Sequence, residues 1–132
     1  MSNKQSHLEM IQGIVGRMSH NSFLLKGWTV ILVSALFALA AENKNIVFII
    51  IAYLPCISLW HLDAYFLWKE RLFRALYNHV RLMNEGDIDY SMEIDQIDDK
   101  DLTFKKSFFS GTLFLFHGVI LLSIIIAMLI TI

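Results

Sequence analysis

The stretch 45–84 most constrains the fold, because it begins as an apolar run and continues into a basic amphipathic pattern. Its first part, 46–68, is long enough to cross a membrane, which takes about 20 apolar residues in a helix. Pro55 lies near the middle of this part and removes a backbone donor, so a kink is expected there. The second part, 69–84, alternates at helical period and contains neither Gly nor Pro. The sequence therefore predicts one long helical element that crosses a membrane and continues beyond it.

Two further apolar runs, 23–41 and 107–132, have the same character. The chain is 56% hydrophobic, above the roughly 45–50% of soluble domains, and the surplus is concentrated in the three runs. A tight polar turn at 42–45 joins the first two runs into a hairpin. We predict an all-α integral membrane protein with three transmembrane helices, the second of which continues into a long cytoplasmic amphipathic helix.

The N-terminal segment places Leu8, Ile11, Val15 and Met18 at helical spacing, which indicates an amphipathic helix lying in the membrane interface. The alternative is a mobile gate or an oligomer contact. The predicted segments are an amphipathic arm at 1–22, a transmembrane hairpin at 23–68, a basic cytoplasmic helix at 69–84, an acidic connector at 85–104 and a third transmembrane helix at 105–132.

Positive charge lies on one side of the three predicted spans. Lysines and arginines precede the first span, follow the second and precede the third, whereas the first hairpin contains only Lys44. The positive-inside rule therefore predicts a multi-pass membrane protein with the N-terminus, the basic helix and the acidic connector in the cytoplasm.

Small and polar residues inside the spans are candidates for pore lining or helix packing. In a continuous third helix His117 lies about 16 Å beyond Lys106, close to the bilayer centre, where an ionisable residue suggests function. A neutral His117 that donates to a carbonyl of another helix explains its presence equally well. Small residues allow helices to approach closely. The candidates are Ser34, Ala38, Ser110, Gly111, His117 and Gly118.

The basic helix and the acidic connector offer two charged surfaces. The arginine face of the helix suits anionic lipid or an anionic ligand or protein partner. Most of the acidic residues lie within 85–101, but their spacing does not match an EF-hand loop. A solvated linker or a docking strip for a basic partner is favoured over a calcium site. The candidate signal or partner face comprises Arg71, Arg74, Asn78, Arg81, Asp95, Asp98 and Asp99.

No catalytic constellation is recognisable in the sequence. His61 and Asp63 are two positions apart and so point to different faces of a helix. No phosphate-binding loop, Cys/His metal cluster or nucleophile elbow is present. These observations predict a non-enzymatic protein without a cofactor, and nothing in the sequence predicts direct nucleic-acid binding.

The segments GWTVILVSALFALAA at 27–41 and LDAYFLWKERLFRALY at 62–77 give the chain a resemblance to the SLATT-like proteins over residues 26–81. These are small bacterial two-span membrane effectors linked with nucleotide-signalling anti-phage systems, and the third span lies outside the resemblance. The resemblance implies an effector that oligomerises and breaches the inner membrane when an upstream sensor fires.

The expected partners are membrane lipid, further copies of the chain and a cytoplasmic sensor or larger protein. A second hypothesis is an accessory subunit that anchors or regulates a larger membrane complex. A third, ion-coupled transport, depends on His117 alone.

Overall fold

The computed structural model describes residues 2–95, 97 and 99–132. They form five α-helices and one short 3-10 turn, and the described residues contain no strand. The helices are α1 (Asn3–Asn43), α2 (Val47–Ile51), α3 (Tyr53–Arg81), α4 (Phe104–Phe108) and α5 (Gly111–Thr131), with the turn at Glu85–Asp87. The stretches Asn3–Asn43, Val47–Arg81 and Gly111–Thr131 are each long and apolar enough to cross a membrane. The all-helical prediction with three candidate spans is confirmed at this level.

The N-terminal segment and the first predicted span belong to one helix. Helix α1 is continuous over 41 residues, or about 61 Å at 1.5 Å per residue. The Ser2 side chain accepts a hydrogen bond from the Gln5 N–H at its start, and Lys44 ends it in the left-handed conformation with φ 50°. The helix continues because the apolar face of its first turns packs on α3 rather than on lipid.

Pro55 interrupts the second element, as predicted from the sequence. A proline lacks the N–H that would bond the carbonyl four residues earlier, here that of Ile51. The helix divides at Ala52, between α2 and α3. From Tyr53, α3 runs unbroken to Arg81, so the second candidate span continues into the basic helix as predicted.

The third predicted span begins later than the sequence indicated. Helix α4 ends at Phe108, Ser110 adopts an extended conformation as the N-cap residue, and α5 starts only at Gly111. His117 consequently lies about 9 Å from the start of α5 at 1.5 Å per residue. The estimate of about 16 Å from Lys106 assumed one continuous helix, and the break at Ser110 corrects it.

The helices form two regions, and each region has its own buried core. In the stalk, defined as residues 3–18 of α1 and 69–81 of α3, Ile11 packs with Leu76 and Val80, and Ile88 of the connector covers them. The span bundle comprises residues 22–43 of α1, α2, residues 53–68 of α3, and α5. Its buried apolar residues form two clusters, which are Val33, Ala40, Ile49, Ala52, Cys56 and Ile124 in one and Trp60, Ala64 and Leu113 in the other.

Candidate functional site

Four polar side chains from three helices meet in the span bundle, and we call them the ion network. Asp63 of α3 is fully buried. Its Oδ2 atom lies 2.7 Å from His117 Nε2 of α5 and 2.8 Å from Lys26 Nζ of α1. Ser22 Oγ donates to the other carboxylate oxygen, and Lys26 Nζ donates to Ser22 Oγ at 2.8 Å. The network therefore joins every candidate span to the other two.

The hydrogen bonds of the network compensate the cost of burying a charge. An unpaired buried carboxylate costs several kcal/mol, whereas charge-assisted hydrogen bonds are the strongest available to it. Asp63 accepts from Lys26, Ser22 and His117. The carboxylate and the Lys26 ammonium cancel in charge. The network is thus a neutral unit if His117 is neutral.

The surroundings of His117 favour the neutral ring. Its Nδ1 atom is buried and has no hydrogen-bond partner among the described residues. A protonated imidazole would place an unpaired N–H donor at that position, and an unsatisfied buried donor is costly. We assign the neutral tautomer that carries its proton on Nε2 and donates to Asp63, since the hydrogen bonds decide the tautomer.

Helical spacing and one tryptophan position the network. Ser22 and Lys26 are four residues apart and so lie on one face of α1. Trp60, one turn before Asp63 on α3, stacks on the His117 ring with centroids 5.6 Å apart and planes within 14°. The Trp60 indole also donates to the carbonyl oxygen of Phe108 at 3.0 Å. The same residue therefore orients the histidine and holds the junction between α4 and α5.

The predicted pore or packing residues occupy three different environments. His117 is fully buried in the ion network, and Gly118 beside it is half-buried. Ser110 and Gly111 lie at the start of α5. The remaining two candidates, Ser34 and Ala38, are exposed on the outer face of α1. The structure thus groups His117 with residues that the prediction had left out.

The predicted partner face is divided as well. Arg71 is half-buried, whereas Arg74 is exposed and lies 3.6 Å from the Glu70 carboxylate. Asn78 and Arg81 are exposed at the end of the stalk.

The acidic half of that face is exposed at Asp95 and Asp99, and Asp98 lies outside the described residues. A groove of about 480 Å³ between α3 and the connector is lined by basic and acidic side chains, among them Arg74 and Asp99. Nearby, Lys106 donates to Asp101 at 2.8 Å, and this contact holds the pKa of Asp101 below its usual value.

Sequence analysis missed three members of the network, Ser22, Lys26 and Asp63. Lys26 lies near the start of an apolar run, and Asp63 pairs across the helices rather than with His61, whose ring is exposed and contacts its own helix at the Ile57 carbonyl. The overlooked signal is that each apolar run contains an ionisable residue without an opposite charge nearby in sequence. Such groups avoid lipid by pairing with one another.

The described residues contain no group of three or more His, Cys, Asp and Glu side chains that could hold a metal ion. Comparison of the chain with family models, curated proteins and solved structures gives no match, so the functional argument depends on the geometry of the chain itself.

Proposed function

We propose that the chain is a non-enzymatic bacterial inner-membrane effector that assembles with copies of itself and permeabilises or depolarises the membrane. The ion network is the observation that carries this proposal. An ionisable residue within a membrane span is costly and is usually functional, and here the charged pair joins α1 and α3, the two helices that also build the stalk.

Insertion into lipid is supported by the polarity of the bundle surface. Phe23 and Leu115 are 72% and 68% exposed, while Asp63 and His117 are buried. Water would favour the opposite arrangement, whereas a bilayer favours apolar side chains outside and polar groups paired inside. The positive-inside rule then places the stalk in the cytoplasm.

The continuity of α1 and α3 gives a route from a signal to the spans. A ligand or partner that displaces one stalk helix relative to the other would act on two rigid helices that cross at the ion network. Lys26 and Ser22 of α1 contact Asp63 of α3 directly. Sliding of one helix along the other therefore separates Lys26 from Asp63. An unpaired charge inside the bundle is costly, so it favours a rearranged assembly in which the charge is exposed to water.

Assembly is required because three helices are too few to enclose a pore. Ser34 and Ala38 are four residues apart on the exposed face of α1, a spacing that allows close helix contact. We place the contact between copies on this face.

Leakage and assembly measured on the same preparation test the effector proposal. The purified chain in dye-loaded vesicles should release the dye, and induced expression should dissipate the membrane potential of cells. Ser34→Leu combined with Ala38→Leu should reduce both leakage and the size of cross-linked assemblies. Ser123→Leu is the matched control, because Ser123 is an exposed serine on the outer face of α5. Vesicles that stay sealed under all conditions, including a stalk-directed antibody, would refute the effector proposal.

The accessory-subunit hypothesis keeps one specific observation in its favour. The groove of mixed charge between α3 and the connector has the chemistry of a protein contact. Silent expression together with stoichiometric co-purification of one large membrane protein would support this alternative. If the substitution Arg74→Glu abolishes this co-purification, the contact with the partner lies in the groove.

A further inference from the structure

A polar cavity of about 440 Å³ opens beside the ion network where α1, α3 and α5 meet. Its lining includes Ser19, Ser22 and Lys26 from α1, Glu70 and Arg71 from α3, and the first residues of α5. The cavity therefore lies where the stalk joins the span bundle, which is the level of the lipid headgroups if the bundle is inserted.

The cavity wall contains one arginine without an ion-pair partner among the described residues, Arg71, which also lines the neighbouring groove with Asp99 and Asp101. Lys26 is paired with Asp63, and Glu70 lies within reach of Arg74. Arg71 itself is half-buried. One guanidinium is therefore available to an anionic ligand, and arginine binds phosphate oxygens in a bidentate manner.

The start of α5 adds neutral donors to the same cavity. No side chain caps the first turn of this 21-residue helix, and a helix N-terminus attracts anions through its free amide groups. Ser110 Oγ, which lies in the cavity lining, is buried and has no partner among the described residues. An oxyanion would satisfy these donors together with Arg71.

An apolar groove of about 560 Å³ continues from the polar cavity along the outside of the bundle. The two spaces share Gly111 and Thr112, and the groove is further lined by the side chains of Val30, Leu115, Phe116, Val119 and Ile120. A Cβ atom added to Gly111 would meet no atom within 4 Å, so there is open space beside this residue, which lines both the cavity and the groove.

From this continuity we infer that the chain binds one anionic glycerophospholipid, with its phosphate in the polar cavity and an acyl chain in the groove. Basic pockets between membrane helices on the cytoplasmic side bind anionic headgroups in this way. A free phosphate ion would use only the polar half, whereas a phospholipid matches both halves. The inference requires membrane insertion but not effector activity, so either can fail without the other.

The bound lipid also touches the ion network. Lys26 and Ser22 line the cavity and contact Asp63. A phosphate beside Lys26 shares the ammonium group with Asp63, so the lipid composition of the membrane would bias the strength of the contact between α1 and α3.

Thermal unfolding of the full chain in a neutral detergent tests the site. Phosphatidylglycerol and phosphatidylcholine with identical acyl chains are added in parallel, together with an inorganic phosphate arm. We expect phosphatidylglycerol to raise the unfolding temperature more than phosphatidylcholine, and phosphate ion alone to give no comparable shift. Titration of phosphatidylglycerol against Arg71→Gln should show about a fivefold weaker apparent affinity, the effect of one arginine at the membrane surface.

Two matched pairs of variants separate the site from general attraction. Arg81→Gln removes an exposed stalk arginine outside the cavity, and its affinity for phosphatidylglycerol should stay unchanged. Gly111→Leu fills the open space beside this residue and should weaken lipid binding, whereas Gly118→Leu, at an equally open glycine of α5 outside both spaces, should not.

Several results would overturn the inference. Equal stabilisation by both lipids would contradict a specific site for the anionic headgroup. Equal losses of phosphatidylglycerol affinity in Arg71→Gln and Arg81→Gln would contradict it as well. An equal shift by inorganic phosphate would reduce the site to a small-anion site. If Arg71→Gln does not fold, unchanged phosphatidylglycerol binding by folded Gly111→Leu would still contradict the path of the acyl chain.

Discussion

The stalk and the span bundle are built from the same two helices but sort their side chains by opposite rules. In the stalk, Ile11 and Val80 are buried, and charged residues such as Arg74 lie outside. In the part of the bundle formed by the same two helices, Phe23 is exposed and Asp63 is buried. The change occurs along α1 and α3 without a break in either helix, so it does not follow from the secondary structure, and it is the change expected where a helix passes from water into lipid.

The difference implies two sources of stability. The stalk buries apolar surface away from water, which is the usual driving force for folding. If the bundle lies in lipid, as proposed, the lipid gives no comparable force between helices, and the bundle then depends on close packing and on polar contacts between spans. Removing one partner of the ion network is expected to cost the bundle more than removing any single apolar contact, because an unpaired charge would remain.

The largest expected effect is at Asp63. Asp63→Leu leaves Lys26 unpaired inside the bundle, and removal of one partner of a buried ion pair costs about 3–5 kcal/mol. The double variant with Lys26→Met should recover most of this loss, because an apolar pair of similar volume replaces a buried ion pair at little cost. Unfolding in detergent, followed by circular dichroism, measures both variants.

The control for that pair is Asp95→Leu, since Asp95 is exposed on the connector. It should leave the unfolding transition unchanged. If Asp63→Leu is as stable as the unmodified chain, the ion network does not contribute to the stability of the bundle.

The second-largest effect is expected in the stalk, where it tests whether the apolar contacts between α1 and α3 stabilise the fold. Ile11 is fully buried between α1 and α3, so Ile11→Ala should destabilise the stalk by about 2–5 kcal/mol. Amide exchange should accelerate at Leu76 and Val80 while the amides of α5 keep their protection. Met10→Ala is the matched control, because Met10 is 60% exposed. An N-terminal helix bound only to lipid would give no exchange change in α3.

These two tests also mark what the sequence could and could not predict. The apolar periodicity of α1 predicts a helix with a buried face, but it does not say whether lipid or another helix covers that face. The continuity of α3 follows from the lack of Gly and Pro between residues 56 and 81. The break before Gly111 has a weaker signal, because Ser and Gly at that point also suit an uninterrupted membrane helix.

The ion network could not be predicted as a contact, because its members are far apart in the chain. Its formation depends on the relative rotation and depth of three helices, which packing sets. Asp63 Oδ2 lies 2.7 Å from His117 Nε2 although 54 positions separate the two residues in the chain. The sequence shows that each apolar run contains an ionisable residue, but only the structure shows which of these residues contact one another.

A smaller effect is expected at Trp60. Trp60→Phe keeps an aromatic ring against His117 but removes the hydrogen bond from the indole to the Phe108 carbonyl. Loss of one such bond costs about 1 kcal/mol. The variant should lower the unfolding temperature in detergent by less than Asp63→Leu does. Trp28→Phe, at an exposed position of α1, is the control, and equal shifts in the two variants would show that the hydrogen bond does not hold the junction.

The smallest expected effect comes from an ion pair with the same geometry as the one in the bundle. Lys106 and Asp101 are 2.8 Å apart, as are Lys26 and Asp63, but the Asp101 side chain is 83% exposed. Water and salt weaken such a surface pair until it contributes little. The pKa of Asp101 is lowered by Lys106, so its contribution is present above the ordinary aspartate pKa and is lost as the pH falls through the lowered value.

Asp101→Asn should therefore have the same unfolding temperature as the unmodified chain at neutral pH, within experimental error. Added salt should not produce a difference between the two unfolding temperatures. Asp63→Asn, the same chemical change in the bundle, should produce a clear loss under identical conditions. Equal effects from the two variants would mean that both ion pairs have the same surroundings, which would contradict the burial of Asp63 among α1, α3 and α5.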